Sequence, residues 1–127
     1  MSVLGLHHVQ VNVPLISEKE AHRFYGELVG MEPISRPQSL SDAGRRGAWF
    51  RCGEQEFHVF SNPNATFDAS ASTQHPALLV DDLEALRGRL TGAGYDLEEA
   101  IPIEGRARFF ARDPGGNRIE FLSFIGA

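Results

Sequence analysis

"HVQVNV" at positions 8–13 and "HPALLV" at positions 75–80 are strand-like segments that each begin with a histidine. Each is followed by apolar residues at helical spacing and then by three further strand-like segments. The order strand, helix and three strands therefore occurs twice. An internal repeat of this kind predicts two similar supersecondary units, and it is the most informative feature of the sequence.

The first copy contains one predicted helix and one predicted hairpin. Ser17 with Glu20 three residues later forms a capping-box pattern, which predicts a helix over about residues 17–29. The apolar runs of "GAWFRCGEQEFHVFS" predict a hairpin that turns at Gly53. Between them, residues 31–45 are rich in proline and serine and predict a short strand followed by a loop.

The second copy repeats this order after a polar, small-residue segment at 62–74, which is the best candidate for a linker. "DDLEALRGRLTGAG" predicts a helix with an aspartate cap and leucines on one face. "YDLEEA" predicts a short strand, and "RARFFARDPGGNRIEFLSF" predicts a second hairpin that turns at "DPGGN".

Aligning the two copies brings chemically related residues together. His8 falls on His75, and His58 falls on Glu120. In all four strands the alternation of side chains directs these residues away from the face that is expected to lie under a helix. Two similar halves related by a pseudo-twofold axis would bring the four positions to a common point.

Three imidazoles and one carboxylate form a plausible metal inner shell. Nitrogen and oxygen donors of this kind bind Fe(II), Mn, Ni, Co or Zn. Each residue also has an ordinary structural interpretation. His58 could be a hydrogen-bonded core histidine, Glu120 could pair with Arg118 or Arg112, and His75 could belong to a loop. Agreement with a repeat found from the apolar pattern favours the metal site.

Other candidate residues carry weaker signals. His7 shares a face with valines, and His22 lies on the solvent side of the first predicted helix. Cys52 sits near a turn, with nothing in the sequence to activate its thiol. Arg106 and Arg108 share a strand face near Glu120, where they could bind an anionic group; the favoured interpretation is the solvated face of an edge strand.

Composition limits the class of protein. The 127 residues carry a formal charge of −5, and scattered basic residues argue against a nucleic-acid partner. No apolar run is long enough to cross a bilayer, and no basic segment precedes an apolar one at the start. The single cysteine fits a reducing compartment. We therefore expect a cytoplasmic protein with neither a nucleic-acid nor a membrane partner.

The repeated module together with "HHVQV", "HRFYGELVGM", "HPALLVDDLEAL" and "RFFARDPGGNRIEF" resembles the vicinal oxygen chelate superfamily. That superfamily includes glyoxalase I, fosfomycin-resistance thiol transferases, extradiol dioxygenases and bleomycin-resistance proteins. The resemblance implies an α+β fold of two βαβββ modules that form a half-open, eight-stranded, barrel-like cup. It implies a single domain over residues 1–127, with modules at about 5–62 and 73–125, and a homodimer whose site is sometimes shared between chains.

The resemblance also implies a ligand set. His8, His75 and Glu120 match the metal ligands of the thiol transferases and dioxygenases, and His58 stands where glyoxalase I usually carries a glutamate. The implied activity is that of a metal-dependent enzyme whose divalent ion chelates substrate through neighbouring oxygens, with Glu120 as general base. An isomerase or lyase is the leading class. The alternatives are a ring-cleaving dioxygenase at Fe(II) and a non-catalytic drug-binding protein. Loops 36–47 and 62–72 would determine the substrate.

Overall fold

The computed structural model describes residues 1–64 and 72–125, which fall into two compact units on either side of the intervening segment. Each unit contains one four-stranded sheet, and helices accompany the strands, so the predicted α+β class with two βαβββ modules is confirmed. The predicted linker at 62–74 lies partly outside the described residues. Within the described part, no helix is both long and apolar enough to cross a membrane.

The first unit has four strands and a helical segment between the first two of them. Strand β1 leads into a continuous helical stretch that starts as a 3₁₀ turn, becomes the α-helix α1 and ends as a π-helical turn. The elements are β1 (His8–Pro14), the 3₁₀ turn (Leu15–Ser17), α1 (Glu18–His22), the π-helical turn (Arg23–Leu28), β2 (Glu32–Ile34), α2 (Gln38–Asp42), β3 (Arg46–Cys52) and β4 (Gln55–Asn62).

The first helix lies close to its predicted position and covers the apolar face of the sheet. Tyr25 is completely buried, with its ring 4.7 Å from that of Phe57 and 6.2 Å from that of Phe50. The predicted capping box does not form, because the Ser17 side chain makes no cap hydrogen bond to the helix. Burial of the aromatic face therefore holds this helix in place without the expected cap.

The segment between β2 and β3 differs from the predicted loop, since it contains the short helix α2. The Arg45 amide donates to the Leu40 carbonyl at 2.8 Å, and the Arg36 guanidinium donates to the Arg45 carbonyl at 3.1 Å. These hydrogen bonds close residues 36–45 on themselves. The polar, proline-rich sequence predicts a connection here, as observed. It does not predict the short helix or the hydrogen bonds within that connection.

The second unit repeats the first, with a shorter connection between its second and third strands and a longer turn between its third and fourth strands. Its elements are β5 (Ala77–Leu79), α3 (Leu83–Gly92), β6 (Leu97–Glu99), β7 (Arg106–Arg112) and β8 (Arg118–Phe124). The predicted aspartate cap is confirmed, because the Asp82 side chain accepts from the Ala85 amide at 3.0 Å. Leu83, Leu86 and Leu90 of α3 are buried as predicted.

Both sheets have the same strand order, with the first strand of each unit paired in parallel to the last. The orders are β1-β4-β3-β2 and β5-β8-β7-β6. In the first sheet Gln10 lies opposite His58, and in the second Ala77 lies opposite Glu120. Two residues before each of these partners stands a histidine, so the observed register reproduces the sequence alignment of the two copies.

The turn between β7 and β8 is organised by one buried aspartate. The Asp113 carboxylate accepts from the Gly115 amide at 2.9 Å and from the Asn117 amide at 2.8 Å. It is only 4% exposed. The turn predicted at "DPGGN" is therefore confirmed, and its aspartate satisfies backbone donors that no strand partner reaches.

Gly47 allows β3 and β4 to approach closely. A Cβ atom at this position would lie 2.1 Å from the Val59 carbonyl oxygen, whereas one at Gly88 of α3 would meet no atom within 4 Å. We expect Gly47→Ala to lower the free energy of unfolding by about 2–4 kcal/mol, because backbone must move. The control Gly88→Ala should raise it by about 0.5–1 kcal/mol. Urea denaturation measures both; equal effects would contradict the close approach.

Replacing the turn aspartate tests the second hairpin. Asp113→Ala leaves two partly buried amides, those of Gly115 and Asn117, without their acceptor and should lower the free energy of unfolding by about 1–3 kcal/mol. Asp81→Ala, at an exposed position before α3, is the matched control and should change it by less than about 0.5 kcal/mol. Thermal unfolding followed by circular dichroism compares the two, and matching melting temperatures would refute the role given to the turn.

Candidate metal centre

Two predicted ligands of the first unit lie against each other on the sheet face opposite the helix. The imidazole rings of His8 and His58 stack with centroids 4.1 Å apart and planes inclined by 22°. The indole of Trp49, which is the cross-strand partner of His58, stacks on His58 at 3.9 Å and 2°. His58 is therefore held between two rings, and it is 5% exposed.

Glu56 fixes the protonation of His58. The Nε2 atom of His58 lies 2.9 Å from a Glu56 carboxylate oxygen, two residues earlier on the same strand face. A carboxylate is an acceptor, so Nε2 carries the proton and Nδ1 keeps its lone pair. Burial lowers the pKa of His58, while the hydrogen bond from His58 lowers the pKa of Glu56. Both directions correspond to a neutral imidazole donating to a charged carboxylate.

The second unit joins its two predicted ligands directly. The Nε2 atom of His75 lies 3.0 Å from a Glu120 carboxylate oxygen, and the Nδ1 atom of His75 lies 2.9 Å from the Thr73 carbonyl oxygen. Both imidazole nitrogens thus face acceptors. If Nδ1 donates to Thr73, a neutral ring places the Nε2 lone pair beside the carboxylate. An imidazolium proton, a protonated carboxyl group or a shared cation would each make that contact favourable.

A basic neighbour of Glu120 compensates part of its buried charge. Glu120 is 6% exposed, and a guanidinium nitrogen of Arg108 lies 3.5 Å from its carboxylate. The favoured sequence interpretation of Arg106 and Arg108 as the solvated face of an edge strand is wrong for Arg108, because the Arg108 side chain is 13% exposed. Its guanidinium contacts the Glu120 carboxylate and donates to the Ile101 carbonyl at 2.6 Å.

Arg118 and Arg112, which the sequence suggests as partners of Glu120, make other contacts. The Arg118 guanidinium lies 3.7 Å from the centre of the Phe110 ring and 3.3 Å from the Glu98 carboxylate. Arg112 donates to the Gly116 carbonyl at 3.2 Å. Glu120 is therefore shared by the imidazole of His75 and the guanidinium of Arg108.

The remaining candidates from the sequence take minor roles. The Nδ1 atom of His7 lies 2.9 Å from the Nδ1 atom of His8, so His7 adjoins the histidine pair. His22 is half exposed and lies 3.9 Å from Glu18 on the helix surface, as expected. Burial raises the pKa of the Cys52 thiol, in the direction that makes a thiol less reactive.

The structure thus places the four predicted ligands as two pairs, one in each unit. Among the described residues of either unit taken alone, no group of three or more histidine, cysteine, aspartate or glutamate side chains is arranged to hold a metal ion. The four-ligand centre of His8, His58, His75 and Glu120 therefore stays a prediction. In each unit, two of the proposed donor side chains lie next to each other on the sheet face that the helix does not cover.

The donors fit a cation to different degrees. Two ligand atoms bound about 2.1 Å from one ion at a right angle are about 3.0 Å apart, which is the separation between His75 and Glu120. The stack of His8 on His58 does not fit as it stands, since an ion in the plane of one ring lies well outside the plane of the other. His8 is exposed, so its ring can turn out of the stack at little cost.

A pocket of about 640 Å³ opens beside the histidine pair of the first unit. Its walls include His8, His58 and Trp49 from the sheet and Leu40 from α2. Pockets of this volume take small organic molecules. The predicted substrate-determining loop at 36–47 contributes to these walls, while residues 65–71 of the other predicted loop lie outside the described residues.

Sequence reasoning missed three contacts that organise the donors. Glu56 was visible as a same-face neighbour of His58, since alternation places residues two apart on one side of a strand. The approach of Arg108 to Glu120 follows from the register of the second hairpin, in which Arg108 lies opposite Leu122, two residues from Glu120. The Thr73 carbonyl that orients His75 leaves no signal in the sequence, because every residue has a carbonyl.

Comparison with known proteins agrees with this architecture. Residues 5–121 match the model of the Glyoxalase/Bleomycin resistance protein/Dioxygenase superfamily. A structure of a Bacillus anthracis protein assigned to the glyoxalase family is 36% identical, covers 98% of each chain and has a TM-score of 0.84. A search of curated proteins finds no match.

Two more distant structures share the fold. Lactoylglutathione lyase from Agrobacterium tumefaciens is 16% identical over 96% of this chain and 95% of its own, with a TM-score of 0.68. A mutant of the fosfomycin resistance protein FosX from Listeria monocytogenes, in complex with Mn(II) and a dihydroxypropylphosphonic acid, is 12% identical over 97% and 94%, with a TM-score of 0.78. The family match over most of the sequence shows that the chain belongs to the Glyoxalase/Bleomycin resistance protein/Dioxygenase superfamily.

Proposed function

We propose that the chain is a metal-dependent enzyme of the glyoxalase and dioxygenase type that acts on a small molecule. The observation that carries the proposal is the second-unit pair, in which the Thr73 carbonyl holds the Nδ1 side of His75 while Nε2 faces Glu120 at 3.0 Å. A backbone carbonyl behind a metal-binding histidine fixes its tautomer and leaves the other nitrogen to bind the ion. Membership of the superfamily supports the same class of chemistry.

The proposed ligands are His8, His58, His75 and Glu120, with Fe, Mn, Ni, Co or Zn as the divalent ion. His75 and Glu120 would bind as they lie. His8 would turn out of its stack, and His58 would present Nδ1, since its Nε2 donates to Glu56. The proposal requires the donor pairs of two units, within one chain or from two chains of a homodimer, to meet at one ion.

The chemistry follows from the residues around the ion. A bound divalent ion supplies Lewis-acid stabilisation of negative charge on substrate oxygens. Glu120 is the proposed general base. When one carboxylate oxygen releases its contact, that oxygen can accept a proton from the substrate. Arg108 remains within 3.5 Å to balance charge in the buried setting. An isomerase or lyase reaction uses these groups most directly, and ring cleavage at Fe(II) is the second candidate.

The pocket disfavours the drug-binding alternative in its usual form. Arg36 and Arg45 line it, and no aspartate or glutamate is among the described residues that form its walls. A flat cationic drug would meet like charge there. The enzyme assignment therefore fits the electrostatics of the first unit better than sequestration of a cation does.

Metal binding is the direct test. Chelator-treated protein reloaded with each candidate ion should bind about one ion per chain, measured by elemental analysis and titration calorimetry. His75→Ala and Glu120→Gln should each weaken binding at least about 100-fold, since each removes a proposed ligand. His22→Ala, a histidine on the helix surface, is the matched control and should bind like the wild type. Equal binding by all four proteins would refute the centre.

Activity identifies the reaction class. Protein loaded with each ion in turn should be screened against thiol adducts of 2-oxoaldehydes, catechols and fosfomycin. We expect turnover of a thiol adduct, with Glu120→Gln lowering kcat at least about 100-fold through loss of the general base. Cleavage of a catechol by the Fe(II) form would instead favour the dioxygenase. Metal-replete protein that binds these compounds and converts none would contradict enzyme function.

A further inference from the structure

We infer that the pocket of the first unit binds an organic anion with a flat apolar body, most simply a carboxylate attached to an aromatic ring. The inference rests on the proposed function in taking the pocket beside His8 and His58 as the substrate pocket. It goes further by assigning the charge and shape of the ligand, which the reaction class leaves open.

The charge of the pocket comes from two arginines without acidic partners. In the described part of the chain, neither Arg36 nor Arg45 lies within ion-pair distance of a carboxylate, whereas Arg23, Arg46, Arg87, Arg108 and Arg118 all do. The Nε atom of Arg36 is buried and meets no hydrogen-bond partner among those residues. An anionic ligand in the pocket would therefore meet two guanidinium groups whose charge no neighbouring carboxylate balances.

The arginines are held in place by the structure around them. The Arg36 guanidinium donates to the Arg45 carbonyl at 3.1 Å, which anchors one cation to the loop that carries the other. The Arg45 guanidinium lies over the Phe60 ring, 5.4 Å from its centre. A guanidinium positioned before the ligand arrives loses less freedom on binding, and it suits the two oxygens of a carboxylate.

The shape of the ligand follows from the other walls. Trp49 and Phe60 offer aromatic surface, and Leu40 adds an aliphatic side chain from α2. The protein as a whole carries −5, so a cationic pocket with aromatic walls stands out against an acidic background. A ring would contact the aromatic walls while its carboxylate reaches the arginines.

A matched series of three probes tests the assignment. 3-Phenylpropionate, its neutral amide and 3-phenylpropylamine share one body and differ in charge. Trp49 is the only tryptophan and lines this pocket, so its fluorescence responds to binding there. Trp49 and Arg36 also line a neighbouring pocket that Arg45 does not line, so the effect of replacing Arg45 assigns the signal to this pocket. In chelator-treated protein we expect saturable binding of the carboxylate, at least about tenfold tighter than the amide, and a preference that falls as salt increases. Equal binding of carboxylate and amine, or no fluorescence change with any probe, would overturn the inference.

Substitutions of the two arginines test which of them binds the carboxylate of the probe. Arg45→Gln should abolish the preference for carboxylate over amide while leaving amide binding unchanged. Arg36→Lys keeps a charge and should retain part of the preference, whereas Arg36→Gln should lose it. The control is Arg23→Gln, an exposed helix arginine paired with Glu27, which should bind all three probes like the wild type. A preference that survives in Arg45→Gln and Arg36→Gln would overturn the inference.

The result of the probe-binding experiment does not depend on the result of the metal-binding test. The probe experiment uses protein stripped of metal, so a preference for the carboxylate stands even if no ion binds the histidine and glutamate donors. Conversely, stoichiometric metal binding without any preference among the probes would refute the anion pocket and leave the metal centre intact.

Discussion

The parallel pairing of the first strand with the last in each unit is the constraint on which the candidate site depends. Residues at opposite ends of a βαβββ module become neighbours because the helix carries the chain to the far edge of the sheet, and the three antiparallel strands that follow lead back to the first strand. That pairing brings position 8 to position 58 and position 75 to position 120. The apolar faces of the same strands are covered by helices, so the polar side chains are left on the other face.

The two units use this common scaffold differently. In the first, stacked rings surround a histidine that donates to a neighbouring carboxylate, and a pocket with cationic walls lies alongside. In the second, a histidine meets a buried glutamate that is balanced by an arginine. The first unit therefore combines a pocket with aromatic and cationic walls with a histidine pair, and the second places a histidine beside a buried carboxylate.

The sequence predicted the repeated module, both hairpins and the helix positions because these depend on local spacing and on turn residues. It also predicted which ligand candidates share a strand face, since the period of a strand is two residues. It placed Arg108 near Glu120 but favoured a solvated side chain, because alternation shows which residues share a strand face and not how deeply that face is buried. Nor did it predict the ordered structure of residues 36–45, because this segment has no apolar pattern. The hydrogen bond from the Arg36 guanidinium to the Arg45 carbonyl helps to hold it instead.

Each unit buries its own aromatic and aliphatic side chains beneath its own helix. The pocket and the histidine–glutamate pair are consequently supported by side chains of different units. Over evolutionary time, a duplicated scaffold of this kind can exchange the pocket residues of one copy while it keeps the donor residues of the other.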